Sequence, residues 1–469
     1  MPEIPLTTGL QGRPRVNTPG LRLINAYAEE SQGGPRSAIR TSRPGLDLAY
    51  VNGAGPIFRI YQITGLFNNS LPFVISGNKL YQGSTLIGPV AYGQSPRMVA
   101  AQSQLAITAG GGLWTYNGTT LAQQPFFDDG VSRLPPFSTV TVLYNIFLYA
   151  VQNSQEFFFS AVGQPATINA ANFSSAQVGP DTIVEMAILG EELYIFKTRS
   201  VEIWDYTGAL TAPFAESQGR TYARGCASQN SVRQLDNALF WVGDDYSVYR
   251  TDVVPRKVST PWIDDRLKNA GAQGISQLTA WDLGLEGHEF YGFNLPLTGE
   301  SYAYDCQTKQ WSRWGTNASN LGDPGVFTVA TSGGQGDQIY LGDATSGNVY
   351  TLDPKANTDN GTALSVIVSG ALWLPGGVRR CNNVSLACVR GEGSAAVPNP
   401  IVSMRYSDDG GRTWTSWAQS GLGAVGNYRY KATWRNLGSI YQPGRLFEWR
   451  VDDAVNFTVE GATYNEARV

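Results

Sequence analysis

At 469 residues the chain is too long for one hydrophobic core, so at least two modules are expected. Its 53 Gly, 25 Pro and 23 Tyr, with only 15% charged residues, fit an all-β protein and argue against a helical one. A formal net charge of −4 without a basic stripe argues against a protein that grips nucleic acid, and no apolar stretch reaches the length of a membrane span.

In chain order, residues 1–48 are expected to form an extended N-terminal arm. LRLINAYAEE at 21–30 offers one strand and RTSRPGL at 40–46 a turn. Leu21, Leu23, Ile24 and Tyr27 would leave an apolar strip exposed on a frayed tail, so the arm should either complete a ring or reach onto a neighbour. Residues 49–360 then carry a recurring hairpin. Its plainest copy is LYIFKTRSVEIWDYTG at 193–208, two strands around the polar turn Lys197-Thr198-Arg199-Ser200. Looser copies are GNKLYQGSTLIG at 77–88, GGLWTYNGTTLAQ at 111–123, ALFWVGDDYSVYRTD at 238–252 and QIYLGDATSGNVYTLD at 338–353. From Trp204 to Tyr249, Tyr304 and Tyr350 the steps are 45, 55 and 46 residues, the period of a four-stranded propeller blade. The expectation is a β-propeller of about six blades.

Two segments stand out within it. TVTVLYNIFLYAV at 139–151 reads as a buried strand pair. At 259–282, Ser259-Thr260 before Pro261 announces a helix, with Ile263, Leu267 and Ala270 on one face and Gly271 at its end. From 361 to 469 the strands are longer and alternate more cleanly, as Phe447, Trp449 and Val451 do against Glu448, Arg450 and Asp452, which predicts a separate C-terminal β-sandwich.

The sharpest local motif is Ser407-Asp408-Asp409-Gly410-Gly411-Arg412-Thr413-Trp414, an Asp-box of the form S-x-D-x-G-x-T-W. Its mechanics are those of a turn: Ser407 and Asp409 bond back to amides, Gly411 supplies the unusual backbone, and Thr413 and Trp414 complete and cover the loop. Other candidates are weaker. His288 is the only histidine, which leaves no multi-histidine metal site and fits a polar strand-edge position better than a catalytic base. Asp244-Asp245, Asp264-Asp265 and Asp452-Asp453 fit turns and caps. The four cysteines, at 226, 306, 381 and 388, fit buried free thiols better than a disulfide scaffold or a zinc site. Glycine groups at 110–112, 333–336 and 391–393 lack the context of a nucleotide-binding loop. An Arg-Leu-Pro triplet at 133–135 invites comparison with sialidases, without the arginines and carboxylates their chemistry requires. No catalytic, cofactor-binding or metal-binding residue is assigned, and no cofactor is expected.

Several stretches together resemble the packaged-DNA stabilisation proteins, the tail-hub or nozzle proteins of short-tailed bacteriophages. They are GNKLYQGSTLIG at 77–88, SVEIWDYTGA at 200–209, STPWIDDRLKN followed by GHEFYGFNLP at 287–296, and the run from MRYSDDGGRTWTSW through YKATWRNLGSI. The resemblance implies a non-enzymatic structural protein of the virion tail, assembled in the host cytoplasm as a homo-hexamer below the portal and adaptor complex. Such a ring extends the DNA-ejection conduit, helps retain packaged DNA and anchors a needle or plug and fibres or spikes. Viral double-stranded DNA would pass through without sequence-specific binding. The alternative from a different class is a propeller-type carbohydrate-active enzyme, sialidase-like, or a lectin.

Overall fold

The computed structural model describes residues 2–467 except 11–19, 31–37, 64, 66, 68–70, 94, 210–211, 317–321, 336–337 and 375. Parts of the predicted arm and the last two residues of the predicted sandwich therefore lie outside the described residues.

The chain forms a β-propeller followed by a β-sandwich. Five four-stranded sheets stand alone, each running outward in chain order from the innermost strands Ile57–Tyr61, Arg97–Ala101, Phe137–Leu143, Ile183–Leu189 and Arg233–Leu235. Two more units start at Thr279–Leu285 and Val329–Gln335 and are extended by strands from elsewhere. Counted by these innermost strands, seven four-stranded units surround the axis of the predicted β-propeller. Several inner hairpins turn on two left-handed residues, among them Gln102-Ser103, Tyr144-Asn145, Asp236-Asn237 and Glu286-Gly287. That geometry matches the twist of the flanking strands.

Apolar side chains fill the space between neighbouring blades. Met186, Ile195 and Trp204 pack on Leu148 and Phe157, with the Trp204 and Phe157 rings edge to face at 5.3 Å. The segment at 139–151 is the buried strand pair its sequence predicts. In the hairpin at 193–208, however, Lys197 is no turn residue. It ends the strand Glu192–Lys197, fully buried, with its Nζ 2.8 Å from Glu202 and 3.0 Å from Asp181 and donating to the carbonyls of Ala176 and Gly179. Burial pushes the Asp181 carboxyl up, but bonds from Lys197 and the Arg199 amide outweigh it and hold the group below its ordinary value.

The single α-helix among the described residues, Pro261–Ser276, begins where expected. Thr260 caps it by accepting from the Ile263 amide, and Ile263 and Leu267 are buried against the blades on either side. Gly271, at φ 64°, breaks the helical geometry at the predicted end, and a further turn follows.

The ring is closed by the N-terminal segment. Strand Gly45–Val51 pairs antiparallel with Asn348–Asp353 and becomes the fourth strand of the last blade, where Thr358–Asp359 adds to its far side. Preceding strands go to the sandwich. The hairpin Ala26–Glu30 with Ala38–Ser42 joins Thr458–Ala467, and Leu23–Ile24 lies between Gln310–Arg313 of the sixth blade and Val366–Trp373 of the sandwich. One nine-stranded sheet thus runs from propeller into sandwich. Strands lying between residues 3 and 42 thus complete both sheets of the sandwich.

Arg43 fastens this junction. It is wholly buried, forms a bidentate pair with Asp359 at 2.9 and 2.6 Å, and also donates to Asn25 and the carbonyls of Pro44 and Gly315. The rings of Phe327 and Trp314 lie 4.7 and 5.6 Å from its guanidinium carbon. Removing one member of such a pair strands the other without compensation. Arg43→Ala should therefore cost about 3–5 kcal/mol in equilibrium denaturant unfolding, far more than an exposed Arg→Ala such as Arg412→Ala.

Candidate functional site: the charged axis and the interdomain seam

The inner strands bring five charged side chains to the propeller axis: Arg59, Arg97, Glu185, Arg233 and Asp282, each from a different blade. Glu185 accepts from Arg97 Nε at 2.5 Å, from Thr139 Oγ1 and from its neighbouring amide, Met186 N, at 3.0 Å. Arg97 also donates to Asn230 and to the carbonyls of Pro96 and Gln229. Arg233 reaches the Ala280 carbonyl and Thr331 Oγ1, with Asp282 3.8 Å away. Asp282 also accepts from Ser332 Oγ at 2.8 Å. The two carboxylates on the axis are thus each engaged by a guanidinium and a hydroxyl.

This layer separates two cups. One, of about 350 Å³, lies toward the C-terminal ends of the inner strands and is lined by all five charged residues. The other, of about 500 Å³, lies at the N-terminal ends; Arg59, Arg97 and Arg233 line it, and no carboxylate does among the described residues. Burial lowers the pKa of Arg59 well below that of a free guanidinium, and the charges of Arg97 and Arg233 push in the same direction.

A second constellation ties the domains together. Glu448, wholly buried in the sandwich strand Gly444–Val451, accepts from Arg22 Nε at 2.7 Å and Arg405 Nε at 2.8 Å. Arg22 also meets Asp323 at 2.6 Å, where Arg313 of the sixth blade arrives at 3.2 Å. Sandwich, arm and propeller are joined through this chain of alternating charges. Of the alternating polar residues Glu448, Arg450 and Asp452, the first two are buried and only Asp452 is exposed. Arg450, buried, reaches the Gly322 carbonyl at 2.9 Å.

The Asp-box residues lie at the end of strand Ile401–Ser407. Ser407 Oγ accepts from the Gly411 amide at 2.8 Å and donates to Asp409 Oδ1 at 2.8 Å. Asp409 accepts from the amides of Arg412 and Thr413 at 2.9 Å each and from Thr413 Oγ1 at 2.6 Å. Gly411 sits at φ 88°. Trp414 donates to the Gly411 carbonyl at 3.1 Å, and the Arg405 guanidinium lies 4.6 Å from its ring. The Thr413 hydroxyl, then its amide, hold the Asp409 carboxyl below its ordinary range. Asp408 instead pairs with the buried Arg445 at 2.6 Å.

His288 is not at a sheet edge. It opens the second strand of the sixth blade, buried, with Nδ1 2.8 Å from Asp305 and the ring packed on Tyr27 of the arm. The acidic pairs serve local geometry: Asp245 accepts from Tyr249, Asp264 from Ser259, and Asp453 from the Ile401 amide. Arg133 lies over Phe126, outside the axial layer. All four cysteines are free and buried, and burial pushes the Cys226 and Cys306 thiols up to about 12. No group of metal-ligating side chains occurs among the described residues. The axial charges were missed because each stands alone in its strand, with its partner contributed by another blade.

Fold and site together define a β-propeller joined to a β-sandwich through a shared sheet. The family is given by both parts. Residues 36–357 match the model described as the β-propeller of bacteriophage P22 Gp10, and residues 366–466 match its β-sandwich. The chain belongs to this family and is a bacteriophage structural tail protein, a component of the virion. Comparison with curated proteins gave no match. Among solved structures it is similar to the computationally designed Ika8 protein, at 12% identity and TM-score 0.39 over 71% of this chain and 99% of that one. It is also similar to the extracellular domain of the putative one component system BT4673 from B. thetaiotaomicron, at 10% identity and TM-score 0.44 over 82% of this chain and 48% of that one. The Neurospora crassa Pan2 WD40 domain matches at 11% identity and TM-score 0.39, over 66% and 95%. None of these likenesses bears on function. Among the described residues no helix is long and apolar enough to cross a membrane.

The Asp-box yields a test. Ser407→Ala should cost about 1 kcal/mol in urea unfolding, since two amides lose their acceptor. A carboxyl held below its unfolded pKa adds stability that is complete above that pKa and is lost as pH falls through the folded value. The stability gap between wild type and Asp409→Asn should accordingly be constant above about pH 5 and shrink as the pH drops below about 4.

Proposed function

We propose that this chain is the tail hub, or nozzle, of a short-tailed bacteriophage. Six copies form a closed ring that extends the DNA-ejection conduit below the portal and adaptor, helps retain packaged DNA, and anchors a needle or plug and fibres or spikes. The observation that carries the reading is the family match through both domains in chain order, at 36–357 and 366–466. Assembly takes place in the host cytoplasm. The protein acts through its surfaces and performs no catalysis. In support, both carboxylates on the propeller axis are engaged by guanidiniums, whereas a glycosidase needs two that face its substrate. The net charge of −4 suits a conduit wall, because each phosphate contact would add a salt-dependent brake on moving DNA.

The proposal includes a division into an arm at 1–48, a propeller at 49–360 and a sandwich at 361–469. It also gives Ser407, Asp409, Gly411, Thr413 and Trp414 a purely structural role. Native mass spectrometry of the purified chain, with and without its adaptor and neighbouring tail proteins, tests the assembly. A species of six times 50.8 kDa in either condition is expected. A chain that stays monomeric in both would overturn the hub reading.

A further inference from the structure

The cup at the N-terminal ends of the inner strands is cationic by construction. Three guanidiniums, from Arg59, Arg97 and Arg233, line its roughly 500 Å³, while Glu185 and Asp282 face the cup on the other side of the charged layer. The volume lies within the range of small-molecule sites. The three arginines differ in what the fold already gives them. Arg97 is committed to Glu185, Asn230 and two carbonyls, which fixes its position. Arg233 is anchored by the Ala280 carbonyl and Thr331, but its Nε is buried without a partner. Arg59 has no hydrogen bond or ion pair with any described residue, and its Nε too is buried and unsatisfied.

A partly buried guanidinium flanked by two others, with Glu185 and Asp282 near but neither bonded to it, is costly unless an anion supplies a direct partner. Tetrahedral oxyanions suit this need, since each pair of oxygens can accept two parallel N–H bonds from one guanidinium. We propose that the arginine-lined cup binds a small oxyanion of the phosphate class, with Arg59 as its principal ligand and Arg233 as the second. The ligand is either free phosphate or a small phosphate monoester. The cup lies on the axis of one propeller, so this inference is independent of ring formation and of the tail-hub reading.

Isothermal titration of the full chain at fixed ionic strength tests it, with inorganic phosphate and adenosine 5′-monophosphate as separate probes. Saturable one-to-one binding of at least one probe is expected, weakened roughly ten-fold or more by Arg59→Gln. Equal affinity for both probes supports a site for the anion alone, and tighter binding of the nucleotide supports a phosphate monoester site. No saturable binding of either probe, or wild-type affinity in a folded Arg59→Gln protein, overturns the proposal. Should that variant not fold, the wild-type Tm decides. A rise in phosphate over chloride at equal ionic strength supports the site, and identical Tm values overturn it.

Discussion

The pairing of Gly45–Val51 with Asn348–Asp353 is the constraint on which the rest of the molecule depends. A propeller has no single core; each blade is covered by its neighbours, so an open ring leaves two blade faces in water. The apolar cluster across the closing junction is small, built on Ile57, Ile60, Val74, Tyr81, Tyr340 and Val349. It is much smaller than the core around the helix, which runs from Leu10 to Trp311. Closure therefore leans on a backbone ladder, on Leu46 buried among Trp281, Trp314, Phe327 and Leu341, and on the Arg43–Asp359 pair beside it. The buried pair positions the strand, and the Gly45 backbone passes so close to Thr358 that a Cβ there would lie 2.1 Å from its carbonyl oxygen.

Charge performs the joining elsewhere as well. Arg405, Glu448, Arg22, Asp323 and Arg313 alternate in sign across three parts of the chain. Buried ion pairs add little net stability relative to well-packed apolar residues, but they penalise misregistration heavily. At a junction of strands that slips by whole residues, that selectivity matters more than strength. The seam and the closing strand thus use one device, a buried carboxylate gripped through both oxygens by guanidinium N–H groups.

What could be read in the sequence follows from what is local. Hairpins at 77–88, 193–208 and 338–353 revealed blades because turn and both strands lie within some fifteen residues. The helix was legible from Thr260 and Pro261, and the Asp-box from eight consecutive residues. The closing strand was not, since it pairs about 300 residues away and exposes Leu48 and Val51 as any edge strand does. Nor were the buried charges. Lys197 looked like a turn residue and Glu448 like the wet side of an alternating strand, because nothing near either one announces the partner that neutralises it. The axial arginines are the extreme case, as the propeller axis exists only once the ring has closed.

The route of the first 51 residues sets when this protein can fold during its synthesis. Glu3–Ile4 needs Thr458–Ala467, Leu23–Ile24 needs Val366–Trp373, and Gly45–Val51 needs Asn348–Asp353. The segment made first therefore has no partner until the ribosome has made most of the chain: the propeller closes only once Asn348–Asp353 exists, and the sandwich takes up strands made long before its own. Strictly sequential growth from the N-terminus, strand upon strand, is closed to this chain, because its first strands wait for later ones. The ring can close first, but the seam through Arg22 and Glu448 forms only after the C-terminal strands have emerged.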